Sequence, residues 1–223
     1  MSHQIALDGP AGAGKSTIAK LVAKELNFVY VDTGAMYRAL GLYCLRNSIP
    51  VLEEEKVVKF CKDADVTIKY IDGEQAVLLN GENVNGYIRT PEVGNAASAV
   101  SVYREIREKL VYLQQRLTDT EDVIMDGRDI GSVVLPNADI KIYLDADVEV
   151  RAKRRFDELE GKGEKCDYET VLEEMKDRDY RDMHRENSPL TKAEDAVIID
   201  SSHMGIEEVK DEIIKKYKEA VNG

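Results

Sequence analysis

The chain has 223 residues, of which 43% are hydrophobic, and this is enough for one α/β core of ordinary size. Its formal net charge of −12 argues against a nucleic-acid polymer as partner, because polyanion binding needs a broad basic face, whereas a small phosphorylated ligand needs only a local group of cations. No apolar run approaches membrane-spanning length and the first residues lead into a strand rather than a signal peptide, so we expect a cytoplasmic protein without a membrane partner, and the acidic surface fits a monomer.

The cysteines and histidines predict neither a disulfide framework nor a metal site. Cys44, Cys61 and Cys166 are odd in number and show no C-x-x-C spacing, so we expect reduced thiols. The three histidines are not spaced as metal ligands, either with one another or with the cysteines.

The first predicted strand, residues 4–8, leads into a glycine-rich loop and then into a predicted helix over residues 15–26. The loop reads G-x-x-x-x-G-K-S, the spacing at which backbone N–H groups and a helix N-terminus surround phosphate oxygens. Lys15 can reach the β and γ phosphates, and Ser16 can offer a hydroxyl to a magnesium ion. The order of strand, loop, Lys-Ser and helix favours a phosphate-binding loop over a chance glycine-rich turn.

A second predicted strand, residues 29–32, ends on Asp32 and precedes the run Thr33-Gly34-Ala35-Met36-Tyr37-Arg38. Helical periodicity follows over residues 35–46 and 53–64. From residue 65 to residue 84 the pattern switches to period two, with Asp72-Gly73 and Asn80-Gly81 marking two tight turns. This segment predicts a three-stranded antiparallel meander inserted between helices.

A long predicted helix over residues 91–118 begins at Thr90, an N-cap residue followed by proline. The next strand, residues 123–126, leads into Asp126-Gly127-Arg128-Asp129-Ile130-Gly131. This cluster places two carboxylates and a guanidinium at a strand end, where contacts to a base, a phosphate or magnesium can form. A purely structural turn would explain the two glycines but leave Arg128 and Asp129 unexplained.

Arginines gather on two further helices that follow a strand over residues 140–145. The predicted helices, 148–160 and 168–185, have Asp147 and Asp167 as N-cap candidates, and residues 160–165 form a glycine-containing joint like that of a mobile flap. The first helix carries Arg151, Arg154 and Arg155; the second carries Arg178, Arg181 and Arg185 at a spacing that shares one face. Such rows can stabilise phosphate charge, but a solvated face with ion pairs remains an open alternative.

A last strand over residues 196–200 and a helix over 206–221 complete an alternating pattern. Strands that alternate with helices predict a doubly wound, five-stranded parallel sheet, in which ligands bind beyond the carboxyl ends of the strands. Those ends carry Asp8, Asp32, Asp126 and Asp145.

The chain resembles the bacterial type of cytidylate kinase, a nucleoside monophosphate kinase of the P-loop group that moves the γ-phosphate of ATP to CMP or dCMP. The resemblance runs along essentially the whole length and includes the inserted meander. One departure is Thr33, where that family often has serine. The motifs in the family's order are GPAGAGKS, VDTGAMYR, IRTPEVGNAAS, the R-x-x-R of Arg104 and Arg107, MDGRDIG and RDYRDMHREN.

The resemblance implies a role for each matching residue. ATP would be bound by Gly9, Pro10, Ala11, Gly12, Ala13, Gly14, Lys15, Ser16, Thr17 and Arg154. CMP would be bound by Thr33, Tyr37, Arg38, Ser98, Arg107, Arg128, Asp129, Arg178, Asp182 and Arg185. Catalysis would depend on Lys15, Arg128, Arg178 and Arg155, with Mg²⁺ near Ser16, held largely through water and phosphates.

Within the CMP set, Ser98, Arg107 and Asp129 would contact the cytosine edge, whose amino group suits a carboxylate. Asp182 would contact the sugar hydroxyls. The acceptor phosphate would be held by Arg38, Arg128 and Arg178, with Arg185 nearby, and the ATP phosphates by Lys15, Arg154 and Arg155.

The resemblance also implies one discontinuous kinase domain. Its core would comprise residues 1–63, 90–150 and 186–223, its monophosphate-binding insert residues 64–89, and its lid with hinge residues 151–185. Three alternatives stay open: a GTP-dependent switch protein, which should carry an N-K-x-D motif absent from this sequence; a small-metabolite kinase of the shikimate kinase type, which should be shorter and lack the insert; and a nucleotide-binding regulator without catalysis.

Overall fold

A computed structural model describes residues 2–71 and 74–222. The chain forms two compact units: the first contains the chain up to Tyr30 and from Glu121 onward, and the second contains Val31–Thr120. In chain order the elements are β1 (Gln4–Asp8), α1 (Lys15–Leu26), β2 (Val29–Asp32), α2 (Thr33–Arg46), α3 (Glu54–Cys61), β3 (Val66–Ile71), β4 (Glu74–Leu79), β5 (Glu82–Asn83), α4 (Pro91–Val100), α5 (Arg104–Arg116), β6 (Val123–Gly127), β7 (Ile140–Asp145), α6 (Val148–Gly161), α7 (Tyr168–His184), β8 (Val197–Asp200) and α8 (Ile206–Asn222).

The larger sheet has the strand order β2-β6-β1-β7-β8, and β1 pairs in parallel with both β6 and β7. Its central strands are short apolar runs because both faces are covered, which is typical of parallel sheets. Ile5 and Leu7 are fully buried, and removing each such side chain from water contributes about 2 kcal/mol. The predicted five-stranded parallel sheet is confirmed.

The second unit contains a separate antiparallel sheet in the order β3-β4-β5. Asn80 and Gly81 join β4 to β5 with φ values of 51° and 84°, the left-handed pair that a tight hairpin requires. The predicted Asp72-Gly73 turn lies outside the described residues. Apolar side chains of this sheet share a buried core with α2, α3, α4 and α5, and the predicted inserted meander is confirmed.

The predicted helix over residues 91–118 is wrong as a single helix, because it is interrupted between α4 and α5. Ser101 Oγ donates to Ser98 O, and Arg107 Nη1 donates to Ser101 O, so side chains satisfy main-chain groups that a continuous helix would pair. Tyr103 turns inward and its hydroxyl donates to Val51 O. The interruption therefore combines local side-chain to main-chain hydrogen bonds with a contact to another segment of the chain.

The ends of two other helices also differ from the predictions. The second begins at Thr33 instead of Ala35 because Asp32 caps it, its Oδ1 accepting from Ala35 N at 2.9 Å. The third ends at Cys61 instead of Ala64, where Lys109 Nζ donates to the main-chain oxygens of Cys61, Lys62 and Ala64.

Two of the three predicted side-chain caps are confirmed. Thr90 Oγ1 accepts from Val93 N, and Asp167 Oδ2 accepts from Thr170 N. Asp147 stands at the N-cap of α6, but its side chain makes no cap hydrogen bond with the described residues, so that prediction is wrong.

The three cysteines are free thiols, as expected. Cys44 and Cys61 nevertheless meet in the core of the second unit, with their Sγ atoms 3.5 Å apart. Over residues 2–71 and 74–222, the helices are too short or too polar to cross a lipid bilayer.

Candidate active site

The glycine-rich loop between β1 and α1 is shaped by close backbone approaches. A Cβ at Gly9 would lie 2.0 Å from Leu144 O, and Gly9 has a φ of 149°. Gly12 has a φ of 77°, a conformation that favours glycine, and a Cβ there would also lie 2.5 Å from the flexible end of Met175 on α7. The loop therefore needs glycine at these positions to pass between β7 and α7.

Lys15 begins α1 and is buried against this loop. Its Nζ donates to Pro10 O at 2.7 Å. Burial and the neighbouring positive charges of Arg128 and Arg178 hold the pKa of Lys15 well below its usual value, although Asp126 and Asp8 oppose the shift. Because burial is the main cause of this shift, an arriving anion would favour the charged form of the amine.

Asp126 at the end of β6 lies beside Ser16. Its Oδ2 accepts from Ser16 Oγ at 2.8 Å, and its Oδ1 accepts from Tyr30 OH at 2.9 Å. A hydroxyl and a carboxylate are the oxygen donors that Mg²⁺ prefers. The described residues hold no group of three or more His, Cys, Asp or Glu side chains that could by itself bind a metal, so such an ion would need phosphate or water oxygens as well.

Asp8 at the end of β1 anchors the loop that follows β6. Its carboxylate accepts from Ile130 N at 2.8 Å and from Gly131 N at 2.7 Å. Burial raises the pKa of Asp8 to about 6, although these two N–H groups lower it. Because Arg128 and Asp129 lie immediately before the anchored peptides, Asp8 fixes where both side chains leave the main chain.

Arg128 and Asp182 form a buried ion pair, with Nε 2.9 Å from Oδ2. Burial alone would raise the pKa of Asp182, but Arg128 and, more weakly, Arg178 and Arg185 lower it. Arg185 is 4.0 Å from Asp129 Oδ1 and donates to Ser188 O. Five of the residues that the resemblance assigns to CMP therefore lie together in the first unit: Arg128, Asp129, Arg178, Asp182 and Arg185.

The three arginines on α6 have separate contacts. Arg151 is buried: its Nη1 lies 2.7 Å from Asp179 Oδ2 on α7 and donates to Ala11 O of the glycine-rich loop. Arg154 donates to the main chain and hydroxyl of Ser201, which lies after β8. Arg155 pairs with Glu158 near the surface.

The predicted arginine row on α7 is not uniform. Arg178 and Arg185 are half-buried, whereas Arg181 is exposed and donates to Asp177 O. The alternative of a solvated face therefore describes Arg181 better than its two neighbours.

The remaining CMP candidates lie in the second unit. Arg107 is buried, and its guanidinium lies over the ring of Tyr37 at 5.5 Å from the ring centre. Thr33 is buried at the start of α2, and Ser98 is half-buried on α4. Arg38 donates to both carboxylate oxygens of Asp32, at 3.3 and 3.1 Å.

Sequence analysis singled out the arginines and gave roles to Asp129 and Asp182, but it noted Asp8 and Asp32 only as strand ends. Each of these two carboxylates makes several specific contacts. Tyr30 and Arg89 were missed. The available signal was the repeated pattern of an apolar strand that ends on aspartate.

Solved structures with low sequence identity share the fold. A gluconokinase from Sinorhizobium meliloti has a TM-score of 0.50 and 14% identity, covering 99% of this chain and 94% of its own. An uncharacterized protein from Eubacterium ventriosum has a TM-score of 0.53 and 16% identity, covering 98% of this chain and 99% of its own.

Sequence relatives are much closer. A cytidylate kinase of Caldicellulosiruptor bescii is 53% identical over 217 residues, covering 97% of this chain and 96% of the relative. A cytidylate kinase of Bacillus subtilis is 47% identical over 211 residues, covering 95% and 94%. Residues 5–219 match the sequence model of the family described as cytidylate kinase. This chain belongs to the cytidylate kinase family.

Proposed function

We propose that this protein transfers the γ-phosphate of ATP to CMP or dCMP, yielding ADP and CDP or dCDP, in the cytoplasm and as a monomer. The observation that carries the proposal is the family match over residues 5–219, in a chain that keeps its phosphate-binding loop and buried arginines. The fold alone would not identify an acceptor.

The ATP phosphates would occupy the loop from Gly9 to Ser16, where main-chain N–H groups and the N-terminus of α1 favour an anion. Lys15 would exchange its contact with Pro10 O for phosphate oxygens. Negative charge arriving there would restore the charged form of the amine, so binding and protonation would support each other. Thr17 and Arg154 would complete the set of residues that bind ATP.

Ser16 and Asp126 fit a magnesium ion. The hydroxyl and carboxylate already lie within hydrogen-bond distance, and both are oxygen donors. When bound, Mg²⁺ would neutralise charge on the transferring phosphate. Tyr30 would keep the carboxylate of Asp126 oriented.

The acceptor nucleotide would be held by arginines and carboxylates. In the first unit, Arg128 and Arg178 would bind the acceptor phosphate and Asp182 the sugar hydroxyls, with Arg185 nearby. Asp129 would accept from the cytosine amino group. In the second unit, Arg38 would hold the phosphate, Ser98 and Arg107 the base, and Tyr37 and Thr33 would shape the base site. The ion pair with Arg128 supports the role of Asp182, because it keeps that carboxylate charged and positioned.

The reaction would be a direct in-line transfer in a ternary complex. The acceptor phosphate is already an anionic nucleophile at neutral pH, so positioning and charge stabilisation supply most of the catalysis and a strong base is unnecessary. Residues 151–185 would act as a lid, with Arg155 joining the phosphates on closure. Residues 1–63, 90–150 and 186–223 would form the core, and residues 64–89 the monophosphate-binding insert.

A coupled assay of ADP release tests the proposal with CMP, dCMP, UMP, AMP and shikimate as acceptors. We expect the highest kcat/KM with CMP or dCMP. Activity led by shikimate would replace the proposal with a small-metabolite kinase. If no acceptor gives ADP release although ATP binds tightly, the protein would be a nucleotide-binding regulator without catalysis.

A further inference from the structure

Arg151 is a buried arginine on α6 to which the proposed function gives no role. Its guanidinium makes three contacts inside the first unit. Nε donates to Ala146 O at 2.8 Å, and Nη1 donates to Ala11 O at 3.1 Å and lies 2.7 Å from Asp179 Oδ2. Because arginine presents its N–H donors in a rigid planar fork, these three acceptors fix the guanidinium in one orientation.

The contact with Ala11 O sets the direction of one peptide group in the glycine-rich loop. The Ala11–Gly12 peptide bond is trans, so its C=O and its N–H point in opposite directions. With the oxygen held by Arg151, the N–H of Gly12 is directed away from α6. Glycine adopts positive and negative φ about equally readily, so without that contact the peptide group could rotate about the φ of Gly12, which is 77° here.

Other carbonyl oxygens of the same loop are also in contact with side chains. Lys15 Nζ donates to Pro10 O at 2.7 Å, and Ser201 Oγ lies 3.5 Å from Ala13 O. Main-chain N–H groups bind an anion well when several of them point to the same place. In the proposed function Lys15 leaves Pro10 O for phosphate oxygens, whereas the contact of Arg151 can persist in the complex.

The packing around Arg151 suits a residue that holds the loop rather than one that binds phosphate itself. A Cβ at Gly12 would lie 3.2 Å from Arg151 Cβ and 3.4 Å from Arg151 O, so the loop rests directly on this turn of α6. Asp179 is buried as well and supplies a counter-charge for the guanidinium. Arg151 therefore does not depend on a phosphate to balance its charge.

We propose that Arg151 is a positioning residue for ATP: it holds the Ala11–Gly12 peptide so that the N–H of Gly12 is directed at the ATP phosphates. This inference rests on the part of the proposed function in which the glycine-rich loop binds those phosphates. Without Arg151 the peptide samples more than one orientation. Phosphate binding must then select the competent orientation, which lowers the apparent affinity by the fraction of molecules that have it.

The test compares two variants by calorimetric titration with inorganic triphosphate, ATP and adenosine. Asp179→Asn keeps Arg151 and its contact with Ala11 O. The double variant, Arg151→Met with Asp179→Asn, removes the guanidinium without leaving a buried, unpaired carboxylate. We expect the double variant to bind triphosphate and ATP about tenfold more weakly than Asp179→Asn does, as for a competent orientation populated in about one tenth of the molecules. Adenosine, which has no phosphate, should bind the two variants equally.

Steady-state kinetics separate the positioning of the loop from a general structural effect. Relative to Asp179→Asn, the double variant should have a KM for ATP raised about tenfold and a kcat changed less than about threefold, because the N–H would bind phosphate equally in the ground state and the transition state. The KM for CMP should be the same in both variants. Lys153→Met is the matched control, because Lys153 is exposed on the same helix and pairs with Asp157, and it should keep the wild-type KM for ATP.

Two results would overturn the proposal. Equal affinities of the two variants for triphosphate would mean that Arg151 serves only the ion pair with Asp179. Similar losses for triphosphate, adenosine and CMP, with a lower thermal midpoint in the double variant, would mean a structural role.

If the double variant does not fold, Arg151→Lys replaces it. Lysine keeps the charge beside Asp179 but lacks the fork that reaches Ala146 O and Ala11 O together. A selective loss of triphosphate affinity in Arg151→Lys supports the proposal, and an unchanged affinity overturns it.

Failure of the proposed function gives a different pattern. A wild-type protein that does not bind triphosphate removes the ATP site and both proposals with it. A wild type that binds triphosphate but phosphorylates no acceptor removes the proposed function alone, because the titrations need no turnover. A wild type that does both, with variants of equal triphosphate affinity, removes only the present inference.

Discussion

The amine of Lys15 donates to a main-chain oxygen of its own loop, so it is already aimed at the space the loop encloses. Lys15→Ala removes this cation from a region where Arg128 and Arg178 remain. We expect kcat to fall by about 10²-fold to 10³-fold with every acceptor, as for loss of other preorganised charge-stabilising groups. Steady-state kinetics with CMP and dCMP check this. Lys24→Ala, an exposed change on the same helix, is the control, and full turnover in Lys15→Ala would contradict the assignment.

Asp129 should matter for the acceptor rather than for ATP. It is buried, with Arg185 4.0 Å away, so Asp129→Ala would remove both a partner for the cytosine amino group and the counter-charge of that arginine. We expect KM for CMP to rise by about 10-fold to 100-fold, because a buried donor left unpaired costs about 1–3 kcal/mol. Binding titrations with ATP supply the internal control. Equal losses for the two nucleotides would argue for general unfolding of the site.

Asp8 gives the stability of the protein a pH dependence. Burial raises the pKa of Asp8 from 3.8 to about 6, so between these values the folded state holds a proton that the unfolded chain has lost. The free energy of unfolding therefore falls as pH rises from 4 to 6, by about 3 kcal/mol from this group. Burial dominates this shift, and the neighbouring charges of Asp129 and Lys15 raise and lower the pKa of Asp8 by smaller amounts.

Asp8→Asn should remove this dependence. As the pH rises from 4 to 7, the free energy of unfolding of the variant should increase by about 2–3 kcal/mol relative to that of wild type, because asparagine does not ionise. Urea unfolding at several pH values measures the difference. Stability profiles that run parallel for the two proteins would show that Asp8 does not titrate in this range.

Among the helices, α6 and α7 are joined by the buried pair of Arg151 and Asp179, and Arg151 also donates to Ala11 O of the glycine-rich loop. A lid that moved as one body over residues 151–185 would keep this pair but would have to break the contact of Arg151 with Ala11 O. We therefore expect closure to involve the part of the lid beyond Arg151, around the glycine-containing joint, while the pair stays intact.

Asp179→Asn tests the strength of this connection. Removing one partner of a buried ion pair leaves an uncompensated charge, so we expect a loss of about 3–5 kcal/mol in unfolding free energy. Glu158→Gln, which breaks the more exposed pair with Arg155 on the same helix, should cost less than about 1 kcal/mol. Chemical denaturation of both variants gives the comparison, and similar losses would mean that the buried pair has no special role.

Most elements were predictable from the sequence because apolar runs and helical periodicity are local signals. The interruption at residues 101–103 was not, since it involves the contact of Tyr103 with Val51, which is 52 residues away along the chain. Likewise, the loop motif predicted Lys15 and Ser16 directly. The partners of Asp32 could not be predicted from local patterns, because Gln75 and Arg89 are 43 and 57 residues away along the chain.

The whole chain carries a net charge of −12, yet in its first unit Lys15, Arg128 and Arg178 are close enough for each arginine to depress the pKa of the lysine. Such a concentration of cations in an acidic protein would stabilise bound phosphates and would also stabilise attack by water on ATP. We expect protection to come from incomplete assembly of the site: without an acceptor phosphate, Arg128 remains paired with Asp182.

We accordingly expect phosphate release from ATP in the absence of CMP to stay below about one hundredth of the kinase rate, because a site that closes only on both substrates excludes water. A phosphate-release assay with and without CMP measures the ratio. A burst of phosphate equal to the enzyme concentration would contradict direct transfer, since it would require a phosphoenzyme or a water-accessible site. In Asp182→Asn, which frees Arg128 from its ion pair, the uncoupled rate should rise relative to transfer if pairing restrains the arginine.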